Sequence, residues 1–588
     1  MNNKITIGLS RILANKRPLV ITLCIILVSL GVGSWHVLSS GIRHITMYKS
    51  PYTFQLQSGP LSQSLTDRLI LVVVEGFELE NANNLITIRD IANRGVATIL
   101  RGNQGLTPLP TLTVLMTGAP PEISGIVTNW SDGKVRIGSL WSSAFEAGLN
   151  TIMVGNVKWK PLFDSLLTKG TYYEESDSLT NTQINDAIMK DAITEIRQGK
   201  SGLILVNFFP EKSITGSSAQ IQPDVSRRGI ELNIDRRLSN LLGAIDLSSE
   251  TIIVILCNPP ISKDTCSCLP KGSGSNLLVA AGAGIAAVES PPDRIKWDSA
   301  RLIDVAPTCA TLLGISMPTH SQGEALFNAL DIPHHILSEV AIKQTDARAK
   351  FAVEYMGAVG RNIAMDWSQK HALLLHNDGD YKNAYEAAVK IDKDIISALI
   401  KTRSAMVSSS KRISVPIFIV IIALLILILA ILLQDGLKRI YIAVAVILVY
   451  FTAYYALLLI RGVPLSSGII SDLSDLTGFY HGRVIDSGLS MGFTTIFIRW
   501  FLAGTKEHQG PEQGFFSSII GNSFIVITLI TQIGVFAMTQ GFSYNFYLPD
   551  MQKSLRCFMY LIQLMVIGIL SPVFAYLWKI NILGTYKN

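Results

Sequence analysis

Two kinds of hydrophobic pattern divide the chain. Near the amino terminus and towards the carboxyl end, apolar residues run almost without interruption for about twenty positions, which is long enough for a helix to cross a bilayer. Between these regions, short apolar runs alternate with amphipathic segments. The long runs lie at 18–38, 413–433, 440–460, 515–538 and 558–577, and a shorter run at 487–502 contains Arg499.

The middle of the chain predicts a parallel sheet covered by helices. Because strand-like and helix-like patterns alternate there, we predict an α/β doubly wound, mostly parallel sheet, accompanied by an α-helical transmembrane bundle. Functional side chains of such sheets gather at the carboxyl ends of the strands. The predicted strands are 69–74, 96–100, 151–154, 203–209, 251–256 and 277–281, and the predicted helices are 83–94, 139–148, 180–198 and 226–243.

The same patterns predict the domain organisation. Basic residues precede the first apolar run, and positive flanks favour the cytoplasmic side of a membrane. A cleaved signal peptide would begin similarly, but no small-residue cleavage site follows closely, which favours an uncleaved anchor. The predicted segments are a cytoplasmic tail (1–17), a transmembrane anchor (18–38), a linker (39–66), the α/β domain (67–335), a helical stalk (336–411), a transmembrane bundle of about five spans (412–580) and a tail (581–588).

Composition narrows the expected partners and location. Hydrophobic residues make up 48% of the chain and charged residues only 16%, which is too apolar for a purely soluble protein. The net charge of +6 is mild, and no basic stretch interleaves with aromatic residues, so a nucleic-acid partner is not expected. We expect an integral membrane protein that contacts membrane lipids and protein partners. Its amino terminus is expected in the cytoplasm and its α/β domain outside.

The predicted α/β domain contains four of the six cysteines, namely Cys257, Cys266, Cys268 and Cys309. A compartment outside the cytoplasm permits disulfides, so a disulfide bond from Cys257 to Cys266 and one from Cys257 to Cys268 are both alternatives. Spacing alone does not give the connectivity.

Several motifs occur in a characteristic order. The strand 69–74 ends at Glu75-Gly76, and a Thr/Pro-rich turn at 107–111 is followed by Thr117-Gly-Ala-Pro-Pro-Glu-Ile-Ser-Gly125. Arg301-Leu-Ile-Asp-Val-Ala-Pro-Thr308 and Leu312-Leu-Gly-Ile-Ser-Met-Pro318 come later. Over about residues 67–330 this order resembles the alkaline-phosphatase superfamily, specifically its phosphodiesterase and membrane phosphoethanolamine-transferase branches. The resemblance implies that fold and an ancestral metal-dependent transfer or hydrolysis of a phosphodiester.

The resemblance also implies where the site residues lie. Members of this superfamily hold two divalent metals with carboxylates and imidazoles and so activate a Thr or Ser nucleophile. Glu75 stands at the first ligand position, as a vestigial ligand or as a solvated carboxylate at a strand end. Thr107, or else Thr111, is the candidate vestigial nucleophile, although both are also ordinary turn residues. The degenerate ligand positions are Ser124, Ser217, Cys257, Asn258 and Cys266.

Histidine content decides between these interpretations. Between His44 and His334 the chain has only His320, in a loop where we expect a solvated side chain. A set of three cysteines (257, 266 and 268) with His320 does not match zinc spacing. We therefore predict a pseudoenzyme without a cofactor, acting as a structural or scaffolding subunit of a membrane complex. The alternatives are a phosphodiester hydrolase or phosphoethanolamine-type transferase with a reduced Zn²⁺ or Mn²⁺ site, and a transport role for the bundle.

Overall fold

The structure is a computed structural model, and its described residues form two compact units. The α/β unit lies within Tyr48–Arg403, and the helical unit takes in the described residues up to Met47 and from Ser404 onward. The division thus falls after Arg403, whereas the sequence pattern places the end of the α/β domain at 335. The described residues are 16–50, 52, 62–77, 79–101, 108–129, 134–176, 178–200, 202–211, 223–257, 275–287, 300–361, 366–432, 438–461, 473–503, 511–541 and 551–577.

The α/β unit is built on one eight-stranded sheet with the order β4-β3-β5-β1-β6-β7-β2-β8. All neighbouring strands are parallel except β7, which is antiparallel to both β6 and β2. The predicted fold class is therefore confirmed. The strands are β1 (Arg68–Glu75), β2 (Val96–Arg101), β3 (Thr151–Asn156), β4 (Lys169–Tyr173), β5 (Leu203–Phe208), β6 (Glu250–Cys257), β7 (Ser275–Gly282) and β8 (Ala300–Arg301).

The helices account for most of the remaining described residues. Those that precede Arg403, apart from α1, belong to the α/β unit, and α12 continues across the division. They are α1 (Lys16–Thr46), α2 (Ile86–Arg94), α3 (Pro108–Thr117), α4 (Pro121–Ser124), α5 (Leu140–Glu146), α6 (Lys160–Phe163), α7 (Asn181–Gln198), α8 (Pro223–Leu242), α9 (Val305–Leu313), α10 (His334–Ala358), α11 (Lys370–Asn377), α12 (Tyr381–Leu432), α13 (Lys438–Ile460), α14 (Leu473–Ala503), α15 (Pro511–Gln540) and α16 (Met551–Leu577).

Helices cover both faces of the sheet, which explains the uninterrupted apolar character of its central strands. The first face, that of Leu71 and Val73, packs against α3, α5, α9, α10 and α12. The second face, that of Ile70, Val72 and Val74, packs against α2, α7 and α8. Because successive side chains of a strand point to opposite faces, every residue from Leu69 to Val74 is buried.

Two elements of the α/β unit differ from the sequence prediction. Residues 108–111 of the predicted Thr/Pro-rich turn form the start of helix α3, because Pro108 suits the first helical position and an apolar run follows it. Strand β4 was not predicted, because its Lys-Gly-Thr-Tyr-Tyr sequence lacks an apolar run and it lies at the sheet edge.

Helix α10 and the first part of α12 belong to the core of the α/β unit. Phe351 on α10 and Ile395 on α12 are fully buried in the first-face cluster. Arg348 pairs with Asp392 and donates to the carbonyl oxygen of Gly323. The segment predicted as a helical stalk thus contributes helices that complete the covering of the sheet.

Long apolar helices make up much of the helical unit, and α12 enters it from the α/β unit. Within the described residues, four helical stretches are long and apolar enough to cross a membrane: Arg17–Thr46, Tyr381–Ile431, Ser518–Gln540 and Lys553–Tyr576. Val444–Ile460 is a shorter apolar stretch. The prediction of a membrane protein is confirmed, while the side on which each terminus lies stays a prediction.

Candidate functional site

Three polar side chains meet on the first face at the carboxyl end of the central strands. Glu75 ends β1 and pairs in register with Cys257, which ends β6. Asn207 of β5 pairs with Val73, two residues before Glu75 and therefore on the same face. The Oε1 atom of Glu75 accepts a hydrogen bond from Nδ2 of Asn207 at 2.9 Å. This group, Glu75, Asn207 and Cys257, is called the edge site below.

The orientation of the Asn207 amide is set by a second hydrogen bond. Trp159 Nε1 donates to Oδ1 of Asn207 at 3.0 Å. An indole nitrogen only donates, so the amide oxygen must face Trp159 and the amide NH₂ must face Glu75. Trp159 is fixed by a short helical turn after β3, which begins where Asn156 Oδ1 accepts from the backbone N–H of Lys158.

The electrostatics of the edge site favour neutral groups. Burial raises the pKa of the Glu75 carboxyl, although the Asn207 hydrogen bond and the charge of Lys158 oppose the rise. Burial also raises the pKa of the Cys257 thiol to about 12, with a further contribution from Glu75. At neutral pH, Cys257 is therefore a protonated thiol and not a thiolate ligand.

Replacing Glu75 with Gln is expected to stabilise the α/β unit at neutral pH. A carboxyl whose pKa is raised on folding binds more protons when folded, so its contribution to stability falls as the pH rises from the unfolded pKa through the folded one. Gln keeps an oxygen that can accept from Asn207 but does not ionise. Melting temperatures of the wild type and of Glu75→Gln between pH 4 and 8 test this. The melting temperature of the variant should exceed that of the wild type most near pH 8. An equal difference at every pH would contradict the prediction.

The candidate nucleophile Thr111 lies in the first turns of α3 and is half-buried. Helix α3 contacts the turn that contains Trp159, which orients Asn207. The structure therefore places the helix that carries Thr111 at the end of the sheet where the edge site lies. Thr107 is outside the described residues.

Ser124 has a local structural role. It is buried at the end of α4, its Oγ donates to the carbonyl oxygen of Pro121 at 3.4 Å, and it accepts from the N–H of Ile126. Gly125 follows with a positive φ of 80° and ends the helix. The other degenerate positions, Ser217, Asn258 and Cys266, lie outside the described residues, whereas Cys257 is part of the edge site.

The expectation of a solvated His320 is wrong. The side chain is completely buried, with its Nδ1 atom 2.9 Å from Oγ1 of Thr319. Its ring lies edge-on to Phe351 at 5.8 Å, because α10 packs over this loop. Cys257 and Cys309 are free thiols, and Cys266 and Cys268 are outside the described residues.

The implied pair of divalent metals does not fit the residues of the edge site. Within the part of the chain that the structure describes, no group of three or more His, Cys, Asp or Glu side chains could hold a metal ion. Glu75 lies beside an amide that presents its NH₂ group and beside the Cys257 thiol, and it interacts electrostatically with Lys158 and Glu175. A divalent cation prefers anionic oxygens or neutral imidazoles.

Sequence reasoning missed Asn207 and Trp159. Asn207 interrupts the otherwise apolar strand Leu-Ile-Leu-Val-Asn-Phe near its carboxyl end. A polar residue in a strand buried on both faces needs a hydrogen-bond partner, and this signal could have identified it. Trp159 had no comparable signal, because its role depends on the packing of the turn after β3.

The chain has weak structural similarity to several solved proteins. No protein-family model and no curated protein matches the sequence. Similar solved structures include a 2-O GAG sulfatase, with 12% identity, 44% of this chain and 73% of that one covered, and a TM-score of 0.35. A protein of the alkaline-phosphatase superfamily from Vibrio parahaemolyticus has 12% identity, 51% and 80% coverage and a TM-score of 0.34.

A further similar structure is the phosphonoacetate hydrolase from Sinorhizobium meliloti in complex with phosphonoformate. It has 16% identity, 35% of this chain and 61% of that chain covered, and a TM-score of 0.27. At such identities a likeness concerns the fold alone. The chemistry of the present chain must be inferred from its own edge site.

Proposed function

We propose that the α/β unit has lost catalysis and that the protein is a structural or scaffolding component of a membrane complex. The observation that carries this proposal is the hydrogen bond from the Asn207 amide to the Glu75 carboxyl. It places an uncharged donor on Oε1 of the Glu75 carboxyl, next to a neutral thiol.

A two-metal site would need the opposite arrangement. A metal site places carboxylates and imidazoles, not N–H donors, against the cation. Here the Trp159 hydrogen bond holds the Asn207 NH₂ towards Glu75. A cation placed at Oε1 of Glu75 would compete with the Asn207 hydrogen bond. The arrangement supports a site that is stable without metal.

The retained framework supports a scaffolding role. The α/β unit is a sheet covered on both faces, and the helical unit contributes long apolar helices. We propose that the α/β unit lies outside the cytoplasm, that the amino terminus is cytoplasmic, and that the partners are membrane lipids and other membrane proteins. Mild detergent extraction followed by size-exclusion chromatography should then recover the protein in an assembly larger than one chain.

Metal content and turnover test the loss of catalysis. The purified full chain, incubated with Zn²⁺, Mn²⁺ or Mg²⁺ and then desalted, should retain far less than one equivalent of metal. It should also hydrolyse bis-p-nitrophenyl phosphate no faster than Glu75→Ala does. Glu146→Ala, which changes an exposed carboxylate of α5, is the matched control.

The opposite result would assign an enzyme. One or more equivalents of bound Zn²⁺ or Mn²⁺, with turnover that Glu75→Ala abolishes and Glu146→Ala preserves, would establish a metal-dependent hydrolase or phosphoethanolamine-type transferase. Loss of turnover in Thr111→Ala would then identify the nucleophile.

A further inference from the structure

Helix α14 has an inverted distribution of polar and apolar residues. From Ile485 to Ile496 its exposed side is apolar, as Ile485, Leu489, Phe493 and Ile496 show exposed fractions between 52% and 64%. A water-soluble helix shows the reverse, so this pattern is typical of a helix with lipid outside and a polar interior. The buried polar residues of α14 include Arg483, Asp486, Ser487, Ser490 and Thr494.

Charged residues form a cluster between α13 and α14. Arg483 Nη2 lies 2.8 Å from Oδ2 of Asp486, and Arg461 Nε lies 3.2 Å from Oδ1 of the same carboxylate. The side chains of Arg483 and Asp486 are 3% and 0% exposed, whereas Arg461, directly after the end of α13, is 39% exposed. Two guanidinium groups and one carboxylate leave one positive charge without a counter-charge inside the cluster.

Several polar atoms of this cluster have unused hydrogen-bonding capacity. Within the described part of the chain, Nε and Nη1 of Arg483 and the hydroxyl of Tyr454 are buried without a hydrogen-bond partner. The hydroxyl of Tyr454 lies close enough to Arg483 and Asp486 to interact electrostatically with both. Leaving one buried polar group unpaired costs roughly 1–3 kcal/mol. Ionisable residues inside a membrane bundle are rare and usually mark a functional site.

We propose that this polar cluster, defined as Arg461, Arg483, Asp486 and Tyr454, binds the phosphate group of a membrane phospholipid. A guanidinium presents its N–H donors in a fork that matches phosphate oxygens. A phosphodiester carries one negative charge, which balances the net charge of the cluster. Arg461 lies at the exposed rim, and Arg483 offers its unpaired donors deeper inside.

The surroundings favour a phospholipid as the source of the phosphate. The exposed apolar side of α14, with Leu489 and Phe493, continues along the helix beyond the cluster. Acyl chains could lie along this side while the headgroup enters at Arg461. The proposal goes beyond the scaffolding function and is independent of the edge site, because all its residues belong to the helical unit.

Binding of short-chain lipids to the full chain in detergent tests the proposal. The probes are dioctanoyl phosphatidylglycerol, dioctanoylglycerol, which has the same chains without phosphate, and inorganic phosphate. We expect saturable binding of the phospholipid and none of dioctanoylglycerol. Two variants should each weaken binding of the phospholipid roughly tenfold or more: Arg461→Gln and Arg483→Lys. Arg483→Lys keeps the positive charge but loses the forked arrangement of guanidinium N–H donors.

Arg556→Gln, an exposed arginine of α16, is the matched control and should leave binding unchanged. Because Arg461 is partly exposed, its variant should fold even if Arg483→Lys does not. Inorganic phosphate binding as tightly as the phospholipid would support a phosphate site but overturn the lipid source. Equal binding of both lipids, no binding of any probe, or normal binding by Arg461→Gln would overturn the site itself.

Discussion

Replacing Arg348 with Met is expected to lower the free energy of unfolding of the α/β unit by about 3–5 kcal/mol. Arg348 is 1% exposed, pairs with Asp392 and donates to the carbonyl oxygen of Gly323. Met fills much of the same volume but leaves the Asp392 carboxylate buried without its counter-charge. The pKa of Asp392 is already raised by burial, against the opposing effect of Arg348. Removing Arg348 therefore favours protonation of Asp392 or unfolding of the α/β unit.

Thermal unfolding of the full chain in detergent, followed by tryptophan fluorescence, measures the effect. Lys350→Met is a matched control on the same helix, because the Lys350–Asp346 pair is 60% and 52% exposed and such pairs contribute less than about 1 kcal/mol. The double variant Arg348→Met with Asp392→Leu removes both charges and should recover most of the loss. A wild-type melting temperature in Arg348→Met would show that the Arg348–Asp392 pair does not stabilise the α/β unit.

Replacing Gly282 with Ala is expected to prevent folding of the α/β unit, with a loss of more than about 4 kcal/mol. Gly282 has a positive φ of 115°, which side chains of L-residues rarely adopt. A Cβ atom at this position would also overlap the carbonyl oxygen of Glu250 and lie 3.0 Å from Cα of Thr251. Both are backbone atoms of β6 and cannot move without separating β6 from β7.

Gly148→Ala is the control that tests backbone strain at a positive φ without steric overlap of the added Cβ atom. Gly148 also has a positive φ, of 74°, but a Cβ atom added there would have no other atom of the described residues within 4 Å. This control should cost only about 1–2 kcal/mol. Yield and protease resistance of the full chain measure both variants. Resistance of Gly282→Ala equal to that of Gly148→Ala would contradict the expectation.

Much of the fold could be predicted because its strongest signals are local. The predicted strand 69–74 lies within Arg68–Glu75, and the predicted helix 180–198 agrees closely with Asn181–Gln198. A strand buried on both faces must be apolar along its length, and a helix packed on one face must repeat its apolar positions. Neither requirement depends on distant parts of the chain.

The edge site could be predicted only in part. The position of Glu75 follows from the end of an apolar strand, and Cys257 follows in the same way. That both lie beside Asn207 depends on the strand order β5-β1-β6, which places residues far apart in sequence next to each other. The burial of His320 depends likewise on α10, a helix that the sequence pattern assigned to a stalk.

By itself, the sequence determined the alternation of strands and helices, the long apolar helices and the scarcity of histidine, because each is a property of composition or of local periodicity. Only the tertiary structure decided which polar groups meet. It gave Glu75 an amide partner, placed Arg348 in the core and put Arg483 and Asp486 on the buried side of α14. Such contacts join residues that are distant in sequence, or depend on which side of a helix is covered, and no local pattern specifies them.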